Sequence, residues 1–186
     1  TKAVSGGGAL IDWGVHFLDL ILYALGFPKV KTVSADTSGL LGKDMKAYTY
    51  KNMWAGPPDY NGTFDVDDYV SGHIRTDVGA AITFVGAWAQ NIGEEEMFID
   101  FMGDKAGIRM DYYGAFTEYR GENGVLEKIN ADFDRPPMHN TETVRFFEAL
   151  KTGEKTRNYV DNVLETMRLL DAVYESADKK REVVLK

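Results

Sequence analysis

The 186-residue chain reads as an α+β protein in which helices cover one face of an antiparallel meander. Three observations predict that class. Residues 9–25 are almost continuously apolar between a glycine run and Gly26. Residues 66–129 break into short β-prone segments separated by Gly with Asp or Asn, and residues 141–177 return to apolar side chains three and four apart.

Composition bounds the function classes. With 44% hydrophobic and 27% charged residues the chain is ordinary globular protein. A net charge of -8 argues against a nucleic-acid surface, which needs a cationic field. The absence of cysteine removes disulfides, thiolate nucleophiles and zinc–thiolate centres, and suits the cytoplasm. The apolar run is read as too short, and too polar along one stripe, for a membrane span, and no leader pattern precedes it. The chain opens on Thr1-Lys2-Ala3 and reaches its main motif within a few residues, as expected of a piece of a longer polypeptide.

Taken in order, residues 9–25 form the first helix, ended by Gly26 and Pro28. Residues 30–37 alternate and predict a strand. Residues 38–62, rich in Gly and Pro around Tyr48, Tyr50 and Trp54, predict a long loop of the kind that often binds ligands. Strands are expected at 68–76, 80–90, 96–102, 108–113, 115–120 and 125–129, joined by Gly-Asp and Asn-Gly turns. Along 80–90 both faces are mainly apolar, so a second cover from a partner subunit is expected beyond the chain's own helices. Asn140 is the expected N-cap of a helix over 141–150. Asn162-Val163-Leu164-Glu165 has capping-box spacing before a helix burying Val163, Leu164, Met167, Leu170, Val173, Tyr174 and Ala177, and 182–185 closes as a strand.

The chemistry concentrates on the first helix. Asp12, His16, Asp19 and Tyr23 fall at roughly 0°, 40°, 340° and 20° around it, one stripe about 60° wide. Ionisable groups on so apolar a helix must be paired or face a wet cleft. Asp12 and His16 at i,i+4 suit acid–base work, a carboxylate orienting an imidazole. A structural pair, or a metal held by Asp12, His16 and Asp19, uses the same spacing, but no other His or Cys cluster completes a metal site. Gly6-Gly7-Gly8 lacks the third glycine of a dinucleotide fingerprint, since position 11 is Ile11, so no cofactor-binding residue is assigned. His73 reads as a satisfied strand residue, His139 as a loop or capping residue, and Asp67-Asp68 as a routine solvated pair.

The run from Gly6 to Asp19, matching at Gly7, Gly8, Leu10, Asp12, Gly14, His16, Asp19 and then Gly26, resembles the C-terminal domain of the Gfo/Idh/MocA (glucose–fructose oxidoreductase / inositol dehydrogenase / rhizopine catabolism) family. Phe146-x-x-x-Leu150-x-x-Gly153 and Arg181-Glu182-Val183 carry the resemblance over nearly the whole chain. It implies a single C-terminal substrate-binding and oligomerisation domain, residues 1–186, with a large, mostly antiparallel open sheet. The N-terminal Rossmann domain that holds NAD or NADP is outside this chain, as is that domain's Glu-Lys-Pro lysine. The resemblance further implies His16 as the acid–base residue and Asp12 as its orienting or substrate-contacting partner in a dehydrogenase of sugars, cyclitols or related polyols. Asp12, Trp13 and His16 are the expected substrate contacts, and a homodimer or homotetramer through the sheet is the expected assembly. The alternative is a non-catalytic binding or oligomerisation module of the same fold.

Overall fold

Two four-stranded antiparallel sheets organise the protein, each in its own unit: Thr1–Asn91 with Arg157–Lys186, and Ile92–Thr156. The computed structural model describes residues 1–46, 57–134 and 136–186, so the expected loop aromatics Tyr48, Tyr50 and Trp54 lie outside the described residues. In chain order the elements begin with α1 (Lys2–Ser5), a π-helical turn (Leu10–Gly14), α2 (Val15–Leu25), β1 (Val30–Ser38), α3 (Leu40–Lys43), β2 (Tyr69–Thr76) and β3 (Ala81–Ala87). They continue with β4 (Phe98–Met102), β5 (Gly107–Asp111), β6 (Phe116–Glu122), β7 (Val125–Asn130), α4 (Met138–Thr152), α5 (Val160–Lys179) and β8 (Val183–Val184). The α+β class and the antiparallel pairing stand as expected; the strands divide between two sheets, ordered β3-β2-β1-β8 and β4-β5-β6-β7.

In the first unit the register aligns Val33, Ile74 and Ile82 in one row across β1, β2 and β3. This inner face packs against Leu10, Leu18 and Leu22 from the first helical segment and Leu169, Leu170 and Val173 from α5, all buried. Each such side chain removed from water contributes on the order of 1.5–3 kcal/mol. The opposite face corrects the expectation of two apolar faces. Ser34, His73 and Thr83 form one outer row and Asp36, Ser71 and Val85 the next, so neighbouring strands make polar a face that β3 alone presents as apolar. His73 Nδ1 lies 3.2 Å from Thr83 Oγ1, a satisfied cross-strand pair.

Helix ends differ from the sequence expectations where caps were inferred from residue type. α4 starts at Met138 after Pro137, placing Asn140 inside the helix. α5 starts at Val160 after Tyr159; the Asn162 amide donates back to the Arg157 carbonyl (2.8 Å) and caps nothing at the expected position. The α5 face also turns: Thr166, Leu169, Leu170, Ala172, Val173, Ser176 and Ala177 are buried, whereas Val163, Leu164 and Met167 are exposed. α2 ends as expected at Gly26 (φ 84°), with the Phe27 N–H returning to the Leu22 carbonyl at 2.7 Å.

By length and composition the 24 residues Lys2–Leu25 would suffice to cross a bilayer, which corrects the reading that the run is too short. In the structure Gly6 (φ 80°) breaks the helix, and Leu10, Leu18 and Leu22 are buried against the first sheet.

In the second unit, Ile99 pairs with Met110 and Met110 with Phe116, while Phe101 pairs with Ile108 and Glu118 pairs with Ile129. These residues give that sheet one largely apolar face, of which Ile108 and Ile129 are exposed. The other face carries the bidentate Arg109–Asp100 pair, which holds the Asp100 carboxyl below its usual range.

Candidate active site

Gly8 begins the site because nothing larger fits there. An added Cβ would lie 1.8 Å from the Asp67 carbonyl oxygen, a backbone atom that cannot yield. That close approach lets Asp67 collect the free amides at the start of the helical segment. Its Oδ1 accepts from Gly8 N–H (2.8 Å), its Oδ2 from Leu10 N–H (2.9 Å), and its carbonyl from Ala9 N–H (2.8 Å). The Tyr174 hydroxyl donates to the same carboxylate at 2.8 Å. Burial first, and then this bond to an anion, push the Tyr174 phenol well above the ordinary tyrosine range.

Asp67 and Asp68 are therefore not the solvated pair expected; both are buried, and the Asp68 carboxylate holds the Gly42 N–H at 2.6 Å. The signal in the sequence was weak: a glycine turn needs an acceptor, but its partner sits 59 residues away.

From this anchor the chain winds a π-helical turn over Leu10–Gly14 before α2 begins. An i→i+5 turn winds fewer degrees per residue than an α-helix, so Asp12 rotates off the stripe that the 100° wheel assigns it. The Asp12 carboxylate accepts from the Trp88 indole N–H at 2.9 Å; among the described residues it makes no direct hydrogen bond to His16. His16, Asp19 and Tyr23, all in regular α-helix, do share one surface. With Val15, Leu20, Asn158, Val163, Thr166 and Met167 they line a cleft of about 420 Å³ between α2 and the start of α5.

His16 is exposed on that wall, and Trp13 stands edge-on to it with ring centroids 6.5 Å apart. Asp19 Oδ1 accepts from the buried Thr166 hydroxyl at 2.6 Å, joining α2 to α5. Arg157 donates to the Tyr23 carbonyl (2.5 Å), with its guanidinium 4.4 Å from the Tyr23 ring centre. The site thus offers a solvent-accessible imidazole on a small-molecule-sized, mostly apolar cleft, and a carboxylate held separately by an indole. Among the described residues no three carboxylate or imidazole groups converge as metal ligands.

Comparisons with known proteins agree with this architecture. Residues 2–185 match the Gfo/Idh/MocA family model described as "Oxidoreductase family, C-terminal alpha/beta domain". The chain is 34% identical over 188 residues to D-glucoside 3-dehydrogenase of Escherichia coli (strain K12), covering 99% of this chain and 50% of that protein. Among solved structures it is similar to aldose-aldose oxidoreductase from Caulobacter crescentus complexed with glycerol (TM-score 0.75, 20% identity, 100% of this chain and 50% of that one). It is also similar to levoglucosan dehydrogenase in complex with NADH and levoglucosan (TM-score 0.73, 20% identity, 100% of this chain and 52% of that one). The chain spans about half the length of the relatives it matches. It belongs to the Gfo/Idh/MocA oxidoreductase family, to the part of it that forms the C-terminal α/β domain.

Proposed function

We propose that this chain is the substrate-binding and acid–base half of an NAD(P)-dependent dehydrogenase that oxidises a carbinol of a sugar, cyclitol or related polyol. The observation that carries the reading is His16, an accessible imidazole on the wall of a small-molecule-sized cleft, on a helix inside the stretch that matches the family model. The sugar-directed activity named for the 34% identical relative supports the substrate class.

The glycine turn of this chain does not fit a dinucleotide. The Gly8 and Leu10 amides that a pyrophosphate would need are already bound to the Asp67 carboxylate, which would repel it. The cofactor is accordingly assigned to a second domain of the parent. When bound, the nicotinamide supplies the hydride acceptor. This chain contributes the proton chemistry: His16 takes the hydroxyl proton as the carbinol carbon becomes a carbonyl, and returns it in the reverse direction. Asp12 accepts a hydrogen bond from a substrate hydroxyl, and Trp13 bounds the substrate ring beside His16.

A homodimer or homotetramer belongs to the same reading. The apolar face of the second sheet, with Ile108 and Ile129, is the surface for it, because the outer face of the first sheet is polar. A cytoplasmic location fits the cysteine-free composition.

The test is turnover by the full-length parent on a panel of aldoses, glycosides and cyclitols with NAD⁺ and with NADP⁺. Reduced dinucleotide and a keto product from at least one polyol are expected. Absence of product across the panel, with tight polyol binding retained, would support a binding module instead.

A further inference from the structure

We propose that Trp88 is a positioning residue for Asp12, fixing one carboxylate oxygen so that the other is presented to the substrate; the kinetic part of this rests on the dehydrogenase reading above. Trp88 directly follows the last residue of β3, and its backbone N–H donates to the Asp68 carbonyl at 2.8 Å. Asp68 is itself buried and tied to Gly42, so the indole is mounted on a fixed support. From there its Nε1–H reaches Asp12 Oδ2 at 2.9 Å. The backbone of Asp12 is located independently, its N–H bonded to the Gly8 carbonyl (3.0 Å) on the turn that Asp67 clamps.

An indole N–H donates and cannot accept, so it selects one carboxylate oxygen as acceptor and nothing else. Among the described residues Oδ1 receives no protein donor, which leaves it for a ligand hydroxyl. Without the indole the Asp12 carboxylate is free to turn about its side-chain bonds, and neither oxygen keeps a fixed direction. Trp88 thereby fixes the direction in which Asp12 Oδ1 accepts a hydrogen bond from the substrate, while His16 takes the proton.

Two measurements decide this. The sequence has three tryptophans, Trp13, Trp54 and Trp88, so the Trp88 indole N–H signal of the 186-residue chain is assigned by its loss in Trp88→Phe. Its solvent exchange should accelerate about ten-fold in Asp12→Ala. In the full-length parent, Trp88→Phe should lower kcat/KM about ten-fold with the melting temperature nearly unchanged, and should cost nothing further in an Asp12→Ala background. Indole exchange indifferent to Asp12→Ala overturns the proposal whatever the parent's activity. A protected indole with the same loss in both backgrounds also overturns it, and leaves the dehydrogenase reading standing.

Discussion

Replacing Asp67 by Ala should be the most damaging single change to the site's framework. The side chain satisfies three donors: Gly8 N–H at 2.8 Å, Leu10 N–H at 2.9 Å and the Tyr174 hydroxyl at 2.8 Å. Gly8 and Leu10 are buried, so their amides have no water to turn to, and a stranded buried donor costs about 1–3 kcal/mol. Tyr174 is half-buried and recovers part of its bond with solvent. Relief of the carboxylate's own desolvation offsets some of the loss. The net expectation is a loss of about 3–5 kcal/mol for Asp67→Ala, a large share of the roughly 5–15 kcal/mol available to a domain. Asp67→Asn keeps one carbonyl but turns an NH₂ toward an amide donor, and should lose about 2–3 kcal/mol. Urea unfolding at neutral pH, followed by circular dichroism and tryptophan fluorescence, reads both. A loss under about 1 kcal/mol for Asp67→Ala would refute the claim that this carboxylate holds the glycine turn.

Other outcomes follow from the same contacts. Gly8→Ala should be at least as damaging as Asp67→Ala, because its Cβ would sit 1.8 Å from a backbone oxygen, and thermal melting compares the two. Gly7→Ala meets side-chain atoms alone, the end of Tyr174 (2.2 Å) and Ile11 Cγ1 (2.8 Å), and should cost less on the same scale. The raised Tyr174 phenol gives a stabilisation fully present below the ordinary tyrosine value of 10.0 and lost as pH climbs above it, since the unfolded chain releases that proton first. Unfolding measured from pH 8 upward should therefore show an alkaline decline that is smaller in Tyr174→Phe. The 186-residue chain should bind neither NADH nor NADPH tightly by calorimetry, because Asp67 occupies the amides a pyrophosphate would use; sub-micromolar affinity would contradict that.

Periodicity placed what regular helix governs and misplaced what it does not. His16, Asp19 and Tyr23 were read onto one stripe and do line one cleft, because α2 from Val15 to Leu25 keeps the ordinary period. Asp12 left the stripe because a π-helical turn precedes α2, and no residue type in Leu10–Gly14 announces that winding. Hairpins were legible from their Gly-Asp and Asn-Gly turns, since a turn is local chemistry. The sheet each hairpin joins is settled by pairing between distant strands, as in β1 with β8, and one expected sheet became two. Asp67 is misread as solvated, and Trp88 and Thr166 escape notice, for the same reason: their partners Gly8, Asp12 and Asp19 lie 59, 76 and 147 residues away.

The most direct test of the account is His16→Ala in the full-length parent, comparing steady-state turnover with dinucleotide affinity. kcat should fall by roughly 10²–10⁴-fold while the Kd for the nicotinamide dinucleotide stays within about two-fold of the unaltered enzyme. Near-normal turnover in His16→Ala would contradict it and return His16 to a structural role.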